Sequence, residues 1–199
     1  MEKRTRGRPR TFEAEVALDS AMHTFWQGGY AATTLDGLGS AMGLNKPSIY
    51  ATFGNKEALY RQTLDHYMKK HGSRYLRALN STGELRRDLA AHFSVFLDTV
   101  TGEHGPGCPI SCTLPAESEN SPAVKAKLAE LLKAVDDATS KRLKSAKHQG
   151  QISKDADVRA LAQIVVGTML QFGVRARAGA TRSELNRIAK SVVNLICSH

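Results

Sequence analysis

Apolar residues recur along nearly the whole chain at steps of three and four, and almost no stretch alternates with period two. That periodicity predicts helices and no convincing strand. Over residues 11–28, Ala14, Ala17, Leu18, Ala21, Phe25 and Trp26 form one apolar stripe, and Gly28-Gly29 ends it. Thr33-Thr34 then caps a second helix carrying Leu35, Leu38, Ala41 and Met42, with Gly43 at the position that takes a left-handed backbone. Asn45 caps a third helix, and Pro47 sits in its first turn, where a missing N–H costs little. Ile49 and Phe53 point inward at i, i+4 before Gly54 stops this helix. Asn55 caps a fourth, predicted over 56–79, with Glu57 at its positive end.

Helical spacing continues over 82–101, with Leu85, Leu89, Phe93, Phe96 and Leu97 inward. The stretch GEHGPGCP (102–109) reads as a loop, and a short helix follows to about 119. Ser121-Pro122 opens a helix to about 147, HQGQIS (148–153) turns, and a helix over 155–177 is apolar on most of its circumference. Such a helix has to be covered on more than one side. TRSE (181–184) is a capping box that opens a last helix with Leu185, Ile188, Val192 and Ile196 inward. The expected fold is therefore all-α with about nine helices. Its expected division is a basic arm over 1–10, a small helical domain over 11–55 and a larger one over 56–199.

Charge changes the picture more than composition does. The 199 residues are 41% hydrophobic, enough for a core, and carry a formal net charge of +9. A basic balance points to an acidic partner, nucleic acid first. The segment KRTRGRPR concentrates cations at the N-terminus, and KRLK forms a second cluster that reads as a solvated face. Three cysteines, Cys108, Cys112 and Cys197, do not make a disulfide scaffold. The N-terminus is charged with no apolar run behind it, and the apolar stretch 161–174 is too short to span a bilayer. A cytoplasmic protein with no membrane partner is expected.

The brevity of the helices around Gly43 carries the functional signal. Two short helices joined at a glycine suit a helix-turn-helix, whose second helix lies in the DNA major groove. Lys46 and Ser48 occupy the first turn of that helix, and Tyr50 lies one turn beyond Lys46 on the same face. Lys56, at the next helix start, can meet a phosphate. Residues 11–60, from the first helix ending FWQGGY through AATTLDGLGSAMGLNKPSIYATFGNKEALY, resemble the DNA-binding domain of the TetR/AcrR family of bacterial transcriptional repressors. The resemblance implies phosphate contacts from Thr33 and Thr34. It implies groove contacts from Asn45, Lys46, Pro47 and Ser48, backbone and base contacts from Tyr50 and Thr52, and a phosphate grip from Lys56. The family often has a second aromatic after the tyrosine; here the position is Ala51. The resemblance also implies a homodimer on a double-stranded DNA operator, whose helical C-terminal domain binds a small-molecule effector and respaces the recognition helices.

Other candidates lie outside this motif. Arg6-Gly7-Arg8-Pro9 resembles the core of an AT-hook, so Arg6 and Arg8 are candidate minor-groove contacts. Phe93, Phe96, Leu97, Cys108, Cys112, Met169 and Phe172 are candidate walls of an effector cavity, with plain core packing as the alternative. His104, Cys108 and Cys112 form H-x3-C-x3-C, a candidate metal or redox site, against the simpler reading of the cysteines as small buried residues. Cys197 with His199 is a fainter version. No cofactor is expected. An enzyme is not expected, since no nucleophile-base pair or phosphate cradle is visible. The leading function is an effector-released repressor; cysteine-based sensing with the same DNA role is the alternative. Gly167 and Gly173 favour close helix approach, and dimer packing of the 122–148 and 155–177 helices is the expected interface.

Overall fold

The computed structural model describes residues 10–102, 106–119 and 121–198. The chain divides into two compact units between Tyr67 and Met68. The first contains α1 (Arg10–Ala32), α2 (Leu35–Met42), α3 (Lys46–Phe53) and α4 (Lys56–Tyr67). The stripe on α1 buries Ala17, Ala21, Met22, Phe25 and Trp26, and the helix breaks at Gly29 before one further turn. Its main partner is α4. Phe25 meets Tyr60 edge-on with ring centroids 5.0 Å apart, and Trp26 meets Tyr67 at 5.2 Å. These aromatic pairs, with Leu59 and Leu64 buried beside them, make α4 part of the first unit rather than the start of the second.

The second unit begins with a π-helical turn, Met68–Gly72, and continues as α5 (Ser73–Ala78), α6 (Leu85–Val100), α7 (Pro109–Cys112), α8 (Leu114–Ser118), α9 (Pro122–His148), α10 (Val158–Arg177) and α11 (Arg182–Cys197). The π-turn interrupts what the sequence presents as one helix over 56–79. Met68 folds its thioether over Gly72, where an added Cβ would lie 2.6 Å from the methionine methyl. Likewise the short helix after the loop is two segments, α7 and α8, meeting at Thr113. These two interruptions account for the segments beyond the expected nine.

Helix α6 is enclosed by α5, α9, α10 and α11, and buries Leu89, Phe93, Phe96, Leu97 and Val100. A buried polar cluster ties its start to α9. Arg142 Nε donates to Asp88 Oδ2 at 2.9 Å, and the amide and hydroxyl of Thr82 both donate to Oδ1 at 2.8 Å. Gln151 Nε2 and Arg142 donate to the Gly83 carbonyl at 2.8 and 3.1 Å. Burial pushes the Asp88 carboxyl up. The Thr82 donors and the Arg142 guanidinium outweigh it and hold the carboxyl below the usual carboxylate range. A buried ion pair needs this many partners, because losing either ion leaves the other desolvated and uncompensated.

Candidate nucleic-acid interface

Both short helices of the first unit are set by their caps. Thr34 Oγ1 accepts from the Gly37 amide at 3.0 Å, and Asn45 Oδ1 accepts from the Ser48 amide at 2.9 Å. Between them Gly43 takes φ 66°, ψ 30°, and its amide donates to the Gly39 carbonyl. A left-handed backbone at this point lets the chain reverse direction in two residues without Cβ strain. Ile49 is wholly buried and Phe53 is 6% exposed, so α3 is held from behind.

Its other faces stay open. Asn45, Lys46, Pro47, Ala51 and Thr52 are exposed, Ser48 is half-buried, and Tyr50 is 51% exposed. Lys46 and Tyr50 share one side; Ser48 and Thr52 line an open groove against Ala14 and Ala17 of α1. Lys46 Nζ lies 2.8 Å from Asp36 Oδ1. Lys56 Nζ sits 4.2 Å from the centroid of the Tyr30 ring, a cation–π contact at the start of α4, where Asn55 caps the Ala58 amide. The two threonines part company. Thr34 is exposed, and its hydroxyl proton remains available beyond the cap. Thr33 is buried and donates to the Gly29 carbonyl at 2.6 Å, so its hydroxyl secures the break at Gly29 within α1 rather than facing solvent. Asp36 was not among the sequence candidates, because a lone acid in a first helical turn reads as a dipole partner.

In the second unit Phe96, Cys108 and Met169 come to the wall of a small apolar cavity of about 30 Å³, with Tyr75, Ile110, Leu131, Val135 and Val166. This is well below the ~150 Å³ that accommodates a benzene ring. Phe93 and Phe172 pack edge-to-face at 5.7 Å and, with Leu97, are fully buried core rather than cavity wall. Cys112 lies outside the wall, its thiol donating to the Gly173 carbonyl at 3.3 Å. Tyr75, missed in the sequence, lines the cavity while its hydroxyl donates to Met68 Sδ at 3.4 Å. Burial pushes the Tyr75 hydroxyl up in pKa, with the Cys108 thiol adding to the shift. Burial also pushes His92 down to about 4, against the hydrogen bond its Nδ1–H donates to the Tyr75 carbonyl at 2.7 Å. Both groups are therefore neutral at pH 7.

Arg6, Arg8, His104 and His199 lie outside the described residues. Among the described residues no group of three or more His, Cys, Asp or Glu is placed to hold a metal ion. Cys108 is buried at the start of α7, and both it and Cys112 are used in the packing of α7 on α10. No helix among the described residues is long and apolar enough to cross a membrane.

Two short capped helices, one braced from behind and polar in front, define a helix-turn-helix DNA-binding protein. Residues 17–63 match the profile of bacterial regulatory proteins of the tetR family, and residues 79–192 match that of the tetracyclin repressor-like C-terminal domain. The chain is 31% identical to the HTH-type transcriptional repressor ComR of Escherichia coli K12, over 97% of this chain and 93% of that one. It is 24% identical to the HTH-type transcriptional regulator YezE of Bacillus subtilis, over 90% and 93%. Its fold matches a cysteine mutant of the TetR family regulator CifR, solved with 26-base-pair double-strand operator DNA, at a TM-score of 0.84. That match has 28% identity and covers 94% of this chain and 98% of that one. The chain belongs to the TetR family and is a DNA-binding transcriptional regulator.

Proposed function

We propose that this chain represses transcription as a cytoplasmic homodimer, bound to a pseudo-palindromic operator and released by a small uncharged effector. The observation that carries the reading is the outward face of α3: Lys46 and Tyr50 exposed on a helix whose Ile49 and Phe53 are buried. Asn45, Pro47, Ser48 and Thr52 flank them as groove contacts, Thr34 and Lys56 meet phosphates at two helix starts, and Arg6 and Arg8 follow the minor groove. CifR, bound to its operator, supports the same use of the fold here.

Two half-sites roughly one DNA turn (~34 Å) or a multiple apart require two recognition helices, hence a dimer. Ile164, Val174 and Leu195 are exposed on α10 and α11, whereas α9 exposes no large apolar side chain. On α10, Gly167 has nothing within 4 Å of where a Cβ would sit, which leaves room for a close helix approach. This favours α10 and α11 as the dimer surface over the 122–148 helix expected from sequence. The effector would enter the cavity beside Tyr75 and Met169 by displacing side chains. Neutral surroundings there disfavour a charged ligand. The larger unit would thus sense and dimerise while the smaller one reads DNA, with no catalytic step.

The test is a salt series of fluorescence-anisotropy titrations on a duplex from upstream of the protein's own gene. Lys46→Ala and Tyr50→Ala should each weaken binding about tenfold or more, in line with ~1–3 kcal/mol per good contact. A Lys46 ammonium that neutralises a phosphate would also lower the salt slope by about 0.9; one that meets only a base edge would leave the slope nearly unchanged. Wild-type affinity retained by both variants would remove α3 from the interface.

A further inference from the structure

The DNA-facing side of α2 and α3 carries one charge of the wrong sign. Asp36 is the single acidic residue in these two helices, and its side chain is 80% exposed. Its Oδ1 lies 2.8 Å from Lys46 Nζ, on a lysine side chain that is itself 49% exposed. A pair this open to water contributes little to folding. On a surface that approaches phosphates, a carboxylate also subtracts from the counterion-releasing attraction that drives sequence-independent binding. Its place in the first turn of α2 suits the helix dipole, but that role needs no contact with Lys46, and general affinity does not account for the pair either.

We propose that Asp36 is a positioning residue for base readout: it tethers the Lys46 ammonium at the start of α3 so that it meets a guanine edge instead of the nearest phosphate. The inference rests on the reading of α3 as the DNA-facing helix. Lysine is a point charge on a flexible four-carbon stem, and untethered it follows whatever phosphate is close. An ammonium has three donors. One is taken by Asp36, and two remain to face O6 and N7 of a guanine in the major groove. The pair is close to neutral as a unit, so Lys46 adds little to non-specific affinity while keeping its directed hydrogen bonds. Asp36 thereby raises the ratio of specific to non-specific binding by suppressing the latter.

The experiment uses the full chain. Wild-type protein first selects a site from a random-sequence duplex pool. Affinities for that site and for a shuffled duplex of equal composition are then measured across a salt series. Wild type, Asp36→Asn, Lys46→Met and the double variant are compared. Asp36→Asn is expected to tighten binding to the shuffled duplex about tenfold and to steepen its salt slope by about 0.9, one released lysine's worth. The specificity ratio falls correspondingly, and reselection with Asp36→Asn relaxes the preference at a G·C position. In the Lys46→Met background, Asp36→Asn leaves the ratio unmoved. The proposal is overturned if Asp36→Asn weakens or tightens both duplexes equally. Equal weakening with a lowered melting temperature would mark Asp36 as a support of α2 alone. It is also overturned if the ratio changes just as much without Lys46. If wild type selects no site at all, the DNA-facing reading of α3 falls first and takes this one with it.

Discussion

At His92 a single buried ring reports on acid stability. Its Nδ1–H is held by the Tyr75 carbonyl, its Nε2 lies 3.0 Å from Met169 Sδ, and burial sets its pKa at about 4. An unfolded histidine titrates near 6.5. The unfolded chain therefore takes up a proton that the folded chain refuses, and stability falls as pH drops. The contribution is complete above about pH 6.5 and is lost progressively toward pH 4, with a span of about 3 kcal/mol. Urea melts at pH 7.5, 5.5 and 4.5 should show a steeper loss for wild type than for His92→Gln, which keeps a donor for Tyr75 but does not titrate. Parallel pH profiles would remove His92 as the source. Residue roles of this kind were only partly legible beforehand. Lys46, Tyr50 and Ile49 could be assigned sides from spacing alone. The split between Thr33 and Thr34 could not, because two adjacent cap-forming side chains look alike until the backbone decides which one faces the core.

Helix ends were legible wherever a side chain closes onto its own backbone. The Asn45 cap, the Gly43 turn and the capping box of Thr181 with Glu184 all form as their local sequence indicates. Interruptions within a helix and contacts between helices were not. The π-turn at Met68–Gly72 leaves no mark in the apolar spacing, and it accommodates a contact between Met68 and Gly72. Gly173 is the clearest contact of one element with another. A Cβ there would strike Ser111 Oγ of α7 and come within 2.8 Å of Cys108 Cβ. Gly173→Ala should therefore destabilise the protein by about 1–3 kcal/mol, the usual cost of overpacking, despite alanine's better helix propensity. Urea midpoints read this directly. A midpoint equal to wild type would mean that α7 yields without cost. The close approach was anticipated from Gly173 in an apolar helix, but its partner is α7 rather than a second subunit.

For the whole molecule, exposed apolar side chains on α10 and α11 are the feature with the largest consequence. A double variant, Ile164→Glu with Val174→Glu, places charges on solvent-facing positions that the monomer's core does not use. It should stay folded by circular dichroism and sediment as a monomer. Without linked half-site binding, operator affinity should drop about 100-fold or more. A variant that remains dimeric would move the interface elsewhere.

Local chemistry was enough to establish an all-helical chain, a helix-turn-helix and its outward residues, since caps, turns and amphipathic spacing act within a few residues of one another. Side-chain packing between distant segments settled the rest. It assigned α4 to the first unit through Trp26 and Tyr67, buried Thr33, closed the cavity around Tyr75 to about 30 Å³ and brought Asp36 against Lys46. Each of those depends on which surfaces meet in space, and periodicity along one helix says which face is apolar without saying what covers it.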